Sequence, residues 1–303
     1  MRIGLRWAGI ARFGAIVPLV LAVGAVGCST ETTPSESTSP QSSAAVAPLD
    51  VAALTARLPE RIRQSRTLTV ITSTPFEPMV NSVDGKLTGF DIDMLTAIAN
   101  ALRLRTQFQD QEFSGIISAV QNGQVDLAAR GIFDTAEREK VVDMVTYFRA
   151  GTQWAAMSTD INPNEACGTT VGAEAATTQS TIELPAKSQA CETVGEEPIK
   201  IVEFSSERAA MEALVAGKVD AVSADSPVTL YAAERSNGAI KAVGQAFDTL
   251  PYSLPVAKGS TLGPVLQTVV QYLIDSGEMR TIAERWGIEN GVIETSLINA
   301  AVH

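Results

Sequence analysis

The feature that most constrains the fold is a local pattern that occurs twice along the chain. In each copy a helix is predicted to end at a glycine, and a Val-Asp pair then leads into a buried strand. The first copy pairs a helix at 115–121 with a strand at 125–129, and the second pairs a helix at 207–216 with a strand at 219–223. Glycine is common just after a helix because it adopts left-handed backbone angles readily. The repetition predicts two similarly built lobes.

Strands and helices alternate along the rest of the chain, which predicts an α/β architecture. Residues 68–72 alternate and are β-branched like a strand, whereas 91–102 carries apolar residues at helical spacing. The chain is expected to cross between lobes near 150–158 and to return near 247–256. Two such strand crossings form a hinge about which two lobes can close on a ligand. The predicted organisation is a signal peptide at 1–27, a linker at 28–60, lobe one at 61–153, lobe two at 154–248, and a return to lobe one with the closing helices at 249–303.

The N-terminal residues have the features of an export signal. Three arginines precede the apolar residues 13–26, a run too short to span a membrane comfortably. The four residues that end at Cys28 resemble a lipobox, although Ala25 stands where Leu is usual. We therefore expect Cys28 to be lipidated, with an ordinary cleaved signal and an incidental cysteine as the alternative. Residues 28–60 then form a disordered, lipid-anchored linker, because 30–47 is rich in Ser, Thr, Pro and Glu and has little to pack.

The remaining cysteines indicate a disulfide rather than a metal site. With Cys28 lipidated, Cys167 and Cys191 are left as a pair in an oxidising compartment, where a disulfide is expected. Two buried free thiols are the alternative. No metal site is predicted, since the sole histidine is His303 and no Cys-x-x-Cys occurs.

The charge of the chain argues against nucleic acid as a partner. The full sequence has 23 basic and 34 acidic residues, and removal of 1–27 leaves 20 basic and 34 acidic residues, a net charge of −14. Such a body repels phosphate backbones, and no basic patch with interleaved aromatic residues occurs.

Two further motifs carry a resemblance to a known family. Gly89-Phe90-Asp91-Ile92-Asp93 opens a predicted helix, and Thr135 and Arg138 form a Thr-x-x-Arg spacing just after a turn. With them, residues 68–288 resemble the bacterial family 3 solute-binding proteins, the capture subunits of polar amino-acid ABC importers. The resemblance implies a two-lobed, periplasmic-binding-protein-like fold of type II with the ligand cleft between the lobes.

The resemblance assigns the two ends of an amino acid to two charged residues. Arg138 would grip the α-carboxylate, since a planar guanidinium offers a carboxylate two parallel hydrogen bonds. Asp225, where a strand gives way to a loop, would receive the ammonium group. The alternatives are a solvated arginine on a helix face and an aspartate that caps the following helix.

The resemblance places four more residues at the ligand. Thr177 and Thr178 match the start of a helix whose N–H groups meet the carboxylate, with simple helix capping as the alternative. Phe76 and Phe113 match two rings that sandwich the ligand side chain, with core packing as the alternative.

Three departures from the family pattern bear on the ligand. Ser73 stands where many amino-acid binders carry Asp, Phe133 where they carry Ser or Thr, and Arg130 where a small residue is usual. Gly131 still matches, so that its carbonyl could accept from an ammonium group. Phe133 could complete an aromatic box with the two sandwich rings, and such a box, which holds delocalised or alkylated cationic groups, would suit an ectoine-like zwitterionic solute. Arg130 would instead favour an acidic amino acid, unless it faces outward or bridges the lobes.

The sequence thus predicts an exported, monomeric protein on the outer face of the cell membrane that captures a polar amino acid by hinge closure. It needs no cofactor, and it would deliver its ligand to a permease with a separate ATPase, because the sequence contains no P-loop. An ectoine-like ligand is one alternative. A cyclohexadienyl-dehydratase-like enzyme is another, with Glu174 as its general acid unless that residue is an exposed loop glutamate. A sensor domain is the third, and the lack of a later transmembrane run argues against a receptor in one chain.

Overall fold

The computed structural model describes residues 46–301, so that the signal peptide, Cys28 and the first part of the linker lie outside the described residues. The strands are β1 (Thr67–Thr72), β2 (Asn81–Val83), β3 (Lys86–Thr88), β4 (Arg105–Asp110), β5 (Leu127–Ala128), β6 (Ile132–Phe133), β7 (Val142–Ala156), β8 (Thr170–Glu174), β9 (Lys200–Phe204), β10 (Ala221–Asp225) and β11 (Lys241–Ala257). The helices are α1 (Val51–Arg57), α2 (Glu60–Ser65), α3 (Phe90–Ala101), α4 (Ile116–Gln121), α5 (Ala136–Glu139), α6 (Leu184–Val194), α7 (Glu207–Val215), α8 (Ser226–Arg235), α9 (Leu262–Asp275) and α10 (Glu278–Arg285).

Two long strands join the two lobes. The strand order is β4-β1-β5-β11-β7-β10-β8-β9, and β6 pairs with β11. Strands β4, β1 and β5 are parallel and belong to lobe one, whereas β10, β8 and β9 are parallel and belong to lobe two. Strands β7 and β11 pair antiparallel through both lobes, with register shifts near Phe247. Gly151 lies opposite that irregularity, where an added Cβ would stand 2.7 Å from the Phe247 carbonyl oxygen. The predicted α/β, two-lobed fold is confirmed.

The repeated sequence pattern has the same structural role in each lobe. Gly123 and Gly217 follow α4 and α7 with φ of +68° and +65°. The next aspartates bind the strand beside them: Asp126 accepts from the Thr69 N–H at 2.7 Å, and Asp220 accepts from the Thr170 N–H at 2.8 Å. Each lobe therefore uses an aspartate to fix the start of a parallel strand against the preceding turn.

Each lobe has its own apolar core. In lobe one, α3, α9 and α10 bury residues such as Leu95 and Val269 against the sheet. In lobe two, Trp154 and Leu184 lie in one cluster and Leu214 lies in another. The predicted lobe boundaries at 153/154 and 248/249 fall inside β7 and β11, and they remain predictions.

The prediction of a disordered linker as far as residue 60 is wrong from residue 51 onward. Asp50 caps α1 by accepting from the Ala53 N–H at 3.0 Å. Leu54, Leu58 and Ile62 then recur at helical spacing and are buried in the core of lobe one. Burial of these three apolar side chains orders this part of the chain, although the residues that precede it are polar. Within residues 46–301 no helix is both long and apolar enough to cross a membrane.

The predicted disulfide is confirmed. Cys167, in the loop before β8, is bonded to Cys191 on α6 across a sequence separation of 24 residues. The alternative of two free thiols is therefore wrong. The bond ties α6 to the loop that precedes β8.

Removal of this disulfide is expected to destabilise the protein. The double substitution Cys167→Ser and Cys191→Ser should lower the free energy of unfolding by about 3 kcal/mol, because the unfolded chain loses a loop constraint. Urea denaturation of both proteins, with and without reductant, measures this difference. Reductant should lower the midpoint of the wild-type protein only. Equal midpoints for the oxidised wild type and the double variant would contradict a stabilising role.

Candidate functional site

The site lies where strands of both lobes end and face one another. Residues that follow β1 and β5 in lobe one meet residues at the ends of β8 and β10 in lobe two. Crevices at the carboxyl ends of strands are the usual ligand positions in open α/β sheets. The cleft therefore draws its side chains from four loops that rigid strands hold in place.

Arg138 points into the cleft from α5. Thr135 caps this short helix, and its hydroxyl accepts from the Arg138 N–H at 3.3 Å. The guanidinium donates to the Phe133 carbonyl at 2.8 Å and, across the cleft, to the Ala176 carbonyl at 3.3 Å. Burial lowers the pKa of Arg138 to about 10, so that the side chain stays charged at neutral pH. It is a cation bound by carbonyl dipoles, and not a solvated helix-face arginine.

Asp225 faces Arg138 from the end of β10. Its carboxylate accepts from the Gln179 amide at 2.7 Å and from the Tyr252 hydroxyl at 2.6 Å. Asp225 stands at the N-cap position of α8, but its side chain makes no capping hydrogen bond to that helix. Burial raises the pKa of Asp225 to about 6, which leaves an anion in the cleft at neutral pH. Gln179 and Tyr252 were not predicted as site residues.

Gly131 links the cleft to the Gly89–Asp93 motif. Its backbone has φ of +59°, and an added Cβ would stand 2.9 Å from the Phe76 ring and 3.0 Å from the Tyr252 ring. The Gly131 N–H donates to Asp91 at 2.9 Å, and the Tyr147 hydroxyl donates to the same carboxylate at 2.9 Å. Asp91 therefore holds the Gly131 loop in place from α3 without facing the cleft itself.

The rings of Phe76 and Phe113 form a slot that holds the side chain of Arg130. Their predicted role, to sandwich the side chain of the ligand, stays a prediction. The guanidinium carbon lies 3.5 Å from the centroid of the Phe76 ring and 4.4 Å from that of Phe113. Arg130 is 1% exposed, and its guanidinium forms an ion pair with Glu174 at the end of β8. Both rings are buried, but their shared contact is with a cation rather than with the core alone.

Two acidic residues complete the cleft. Glu174 is 1% exposed, so that the exposed-loop alternative is wrong, and one of its oxygens has no hydrogen-bond partner among the described residues. Glu207, the first residue of α7, is 4% exposed and likewise has one oxygen without a partner there. Burial, together with the nearby charge of Glu174, raises the pKa of Glu207 well above its usual range. Glu207 was missed because an acidic residue after Ser206 is an ordinary helix start.

The other predicted residues make contacts within the protein. The Thr177 hydroxyl donates to the Glu174 carbonyl at 2.7 Å and accepts from the Ser180 N–H, as the capping alternative proposed. Thr178 lies beside it, with its hydroxyl 3.2 Å from the Gln179 amide oxygen. Ser73 is buried just after β1. The Phe133 ring packs on Tyr252 with centroids 4.9 Å apart. It therefore forms part of the wall of the cleft and is not a third side of the slot between Phe76 and Phe113.

Buried carboxyl groups near the cleft give the protein a predicted pH dependence. Burial raises the pKa of Asp91 and Asp134 to about 7 and that of Asp225 to about 6. Each group binds its proton more tightly in the folded protein than in the unfolded chain, so that its stabilising contribution is lost as the pH rises through 6–7. The thermal midpoint should therefore be higher at pH 5 than at pH 8. Calorimetry at both values tests this, and a higher midpoint at pH 8 would contradict it.

Within residues 46–301 no group of three or more His, Cys, Asp and Glu side chains is arranged to hold a metal ion.

The fold and the site together define a two-lobed binding protein with a charged, aromatic cleft. The family model described as "Bacterial extracellular solute-binding proteins, family 3" matches residues 68–289. The chain belongs to this family.

Named relatives fit the same class. The arginine-binding protein ArgT of Corynebacterium glutamicum is 36% identical over 258 residues, which cover 84% of this chain and 85% of that protein. The ABC transporter glutamine-binding protein GlnH of Bacillus subtilis is 28% identical over 224 residues, covering 72% and 79%. Among solved structures, an ancestral arginine-binding protein bound to arginine is 31% identical with a TM-score of 0.66, covering 73% of this chain and 98% of that one.

Proposed function

We propose that this protein captures an amino acid with a cationic side chain, arginine fitting best, and delivers it to an ABC permease that a separate ATPase drives. The main chain of the ligand would lie between Arg138 and Asp225, which present opposite charges across the cleft. The carboxylate would replace the carbonyl groups that now accept from Arg138. The ammonium group would lie against Asp225, with the Gly131 carbonyl as a second acceptor.

The observation that most supports this proposal is the pair of buried acids in the cleft, Glu174 and Glu207. Arg130 and Arg138 oppose Glu174, Glu207 and Asp225, so that the cleft has one negative charge in excess once Glu207, whose pKa is raised by burial, loses its proton. A ligand with a net charge of +1 would neutralise the cleft, whereas glutamate or aspartate would increase the imbalance. The unpartnered oxygens of Glu174 and Glu207 are acceptors, and a guanidinium supplies five donors.

A cavity beside Glu207 suits a long side chain. It has a volume of about 440 Å³, with apolar walls such as Met211 and Val228. Charged side chains of both signs also line it, Glu77 and Glu207 against Arg208 and Arg235, so that it suits methylene groups without selecting a charge. Arginine supplies such methylene groups. ArgT of Corynebacterium glutamicum and the ancestral arginine-binding protein, to which the chain is similar, support the same choice.

The alternatives from the sequence fit the site less well. An acidic ligand needs a free Arg130, but that guanidinium is paired with Glu174. An ectoine-like ligand needs Phe133 as a third wall, but that ring packs on Tyr252. A dehydratase needs a general acid, and Glu174 is held by its arginine partner rather than placed to deliver a proton. We therefore favour binding without catalysis.

The sequence and the family support a proposal for where the protein acts. We propose an exported monomer that Cys28 anchors by lipid to the outer face of the membrane. The export signal and the lipobox-like residues 25–28 support this proposal. The family description, an extracellular solute-binding protein, agrees with export.

A ligand panel tests the proposed function. Thermal shift should be measured with arginine, lysine, citrulline, glutamine, glutamate and ectoine. A ligand present at 100 times its dissociation constant should stabilise the protein by about 2.7 kcal/mol. Arginine should give the largest shift, and citrulline, its neutral isostere, a much smaller one. A larger shift with glutamate or ectoine than with arginine would overturn the proposal.

A further inference from the structure

Arg130 makes, within the chain, the contacts that a bound arginine side chain would make. Its guanidinium lies between the Phe76 and Phe113 rings, at 3.5 and 4.4 Å from their centroids, and it is ion-paired with Glu174. The rings belong to lobe one and the acid belongs to lobe two. The contact therefore links the two lobes at the centre of the cleft.

This internal ion pair is incompletely satisfied. The Arg130 Nε atom and one oxygen of Glu174 have no hydrogen-bond partner among the described residues, and neither does one oxygen of Glu207 nearby. A buried ion pair repays its desolvation only when its remaining donors and acceptors are also bonded. Within the described residues, these oxygens therefore remain as acceptors for the donors of another cation.

A second ion pair between the lobes provides a comparison. Arg208 on α7 lies 3.3 Å from Glu77, which is in the loop after β1. Arg208 is half exposed, and water screens its charge. The Arg130 pair has no such screening, since both side chains are at most 2% exposed.

We propose that Arg130 is an internal occupant of the ligand slot, which draws the lobes together by itself and which the cationic side chain of the ligand must displace. This inference rests on the proposed function for the nature of the ligand, but not for the closure of the lobes. Displacement lowers the apparent affinity, since only the fraction of molecules with an open slot can bind. Arg130 thereby sets a threshold: a side chain that binds the two acids less well than Arg130 does not enter.

The closure is tested by small-angle X-ray scattering on the purified protein without ligand. Arg130→Gln should increase the radius of gyration, because the link between Glu174 and the two rings is lost. Arg130→Lys, which keeps the charge, should give an intermediate value. The control variant Arg208→Gln should leave the radius unchanged. An unchanged radius for Arg130→Gln would overturn the inference, and so would an equal increase for Arg208→Gln.

The displacement is tested by calorimetric titration with arginine. Arg130→Gln should bind arginine on the order of tenfold more tightly than wild type, because no internal side chain competes. Weaker binding by Arg130→Gln would show that Arg130 contacts the ligand, which overturns the inference but leaves the proposed function standing. If neither protein binds arginine or lysine, the proposed function fails, and scattering still decides whether Arg130 closes the lobes.

Discussion

Arg138→Ala should abolish capture of every amino acid that the protein binds. The α-carboxylate would be buried on closure without its charge-assisted partner, at an expected cost of about 2–5 kcal/mol. The dissociation constant for arginine should therefore rise by about 30-fold or more. Isothermal titration calorimetry measures this change directly. The effect should be similar for lysine and arginine, since the two ligands share the group that Arg138 holds.

A conservative variant separates charge from geometry at this position. Arg138→Lys keeps the cation but loses the planar fork that bonds a carboxylate twice. It should bind arginine with an affinity between those of wild type and Arg138→Ala. Because the Arg138 side chain also donates to the Phe133 carbonyl, the thermal midpoint of each variant must be measured alongside. Wild-type affinity in a folded Arg138→Ala protein would exclude the assigned role.

Glu207→Gln should remove most of the preference for arginine over citrulline. The two ligands have almost the same shape, but only arginine carries a cationic side chain that can pair with the buried carboxylate. Loss of one partner in a buried charge pair costs about 2–5 kcal/mol, so that the affinity for arginine should fall by about 30-fold or more. The affinity for citrulline should change much less. Titration of wild type and Glu207→Gln with arginine and with citrulline gives the coupling free energy between the substitution and the change of ligand.

The same position predicts that binding is linked to a proton. Burial and the charge of Glu174 raise the pKa of Glu207, and an arriving cation would lower it again. Arginine binding should therefore release a proton, which appears as a dependence of the measured enthalpy on the ionisation enthalpy of the buffer. Glu212→Gln, an exposed change on the same helix, is the matched control. If Glu207→Gln and Glu212→Gln bind arginine equally well, Glu207 does not contribute to recognition of the positive charge on the ligand side chain.

Local sequence signals predicted the elements well because each depends on nearby residues. The helix predicted at 91–102 is found at Phe90–Ala101, and the strand predicted at 68–72 is found at Thr67–Thr72. The strand predicted at 125–129 is shorter, at Leu127–Ala128, because Asp126 turns its carboxylate back to Thr69. Backbone preference and apolar periodicity are local, and they fix boundaries to within a residue or two here.

The partners of the site residues could not be predicted in the same way. Arg130 and Glu174 are 44 residues apart and lie in different lobes, so that their contact depends on how the lobes close. The sequence patterns indicate both residues but point to rival functions, Arg130 to an acidic ligand and Glu174 to an enzyme. Gln179 and Tyr252 give no local signal at all, because their importance comes only from the Asp225 carboxylate between them.

Both ends of the described chain are attached to lobe one. Leu54 and Leu58 bury α1 in its core, and near the other end Ser296 donates to the Thr146 carbonyl on the lobe-one part of β7 at 2.7 Å. Lobe two is a continuous segment inserted between β7 and β11. A mechanical force that is applied through residue 46 or residue 301 is therefore carried by lobe one and does not pass through the hinge. The closure of lobe two onto lobe one therefore does no work against a force that is applied at either of these residues.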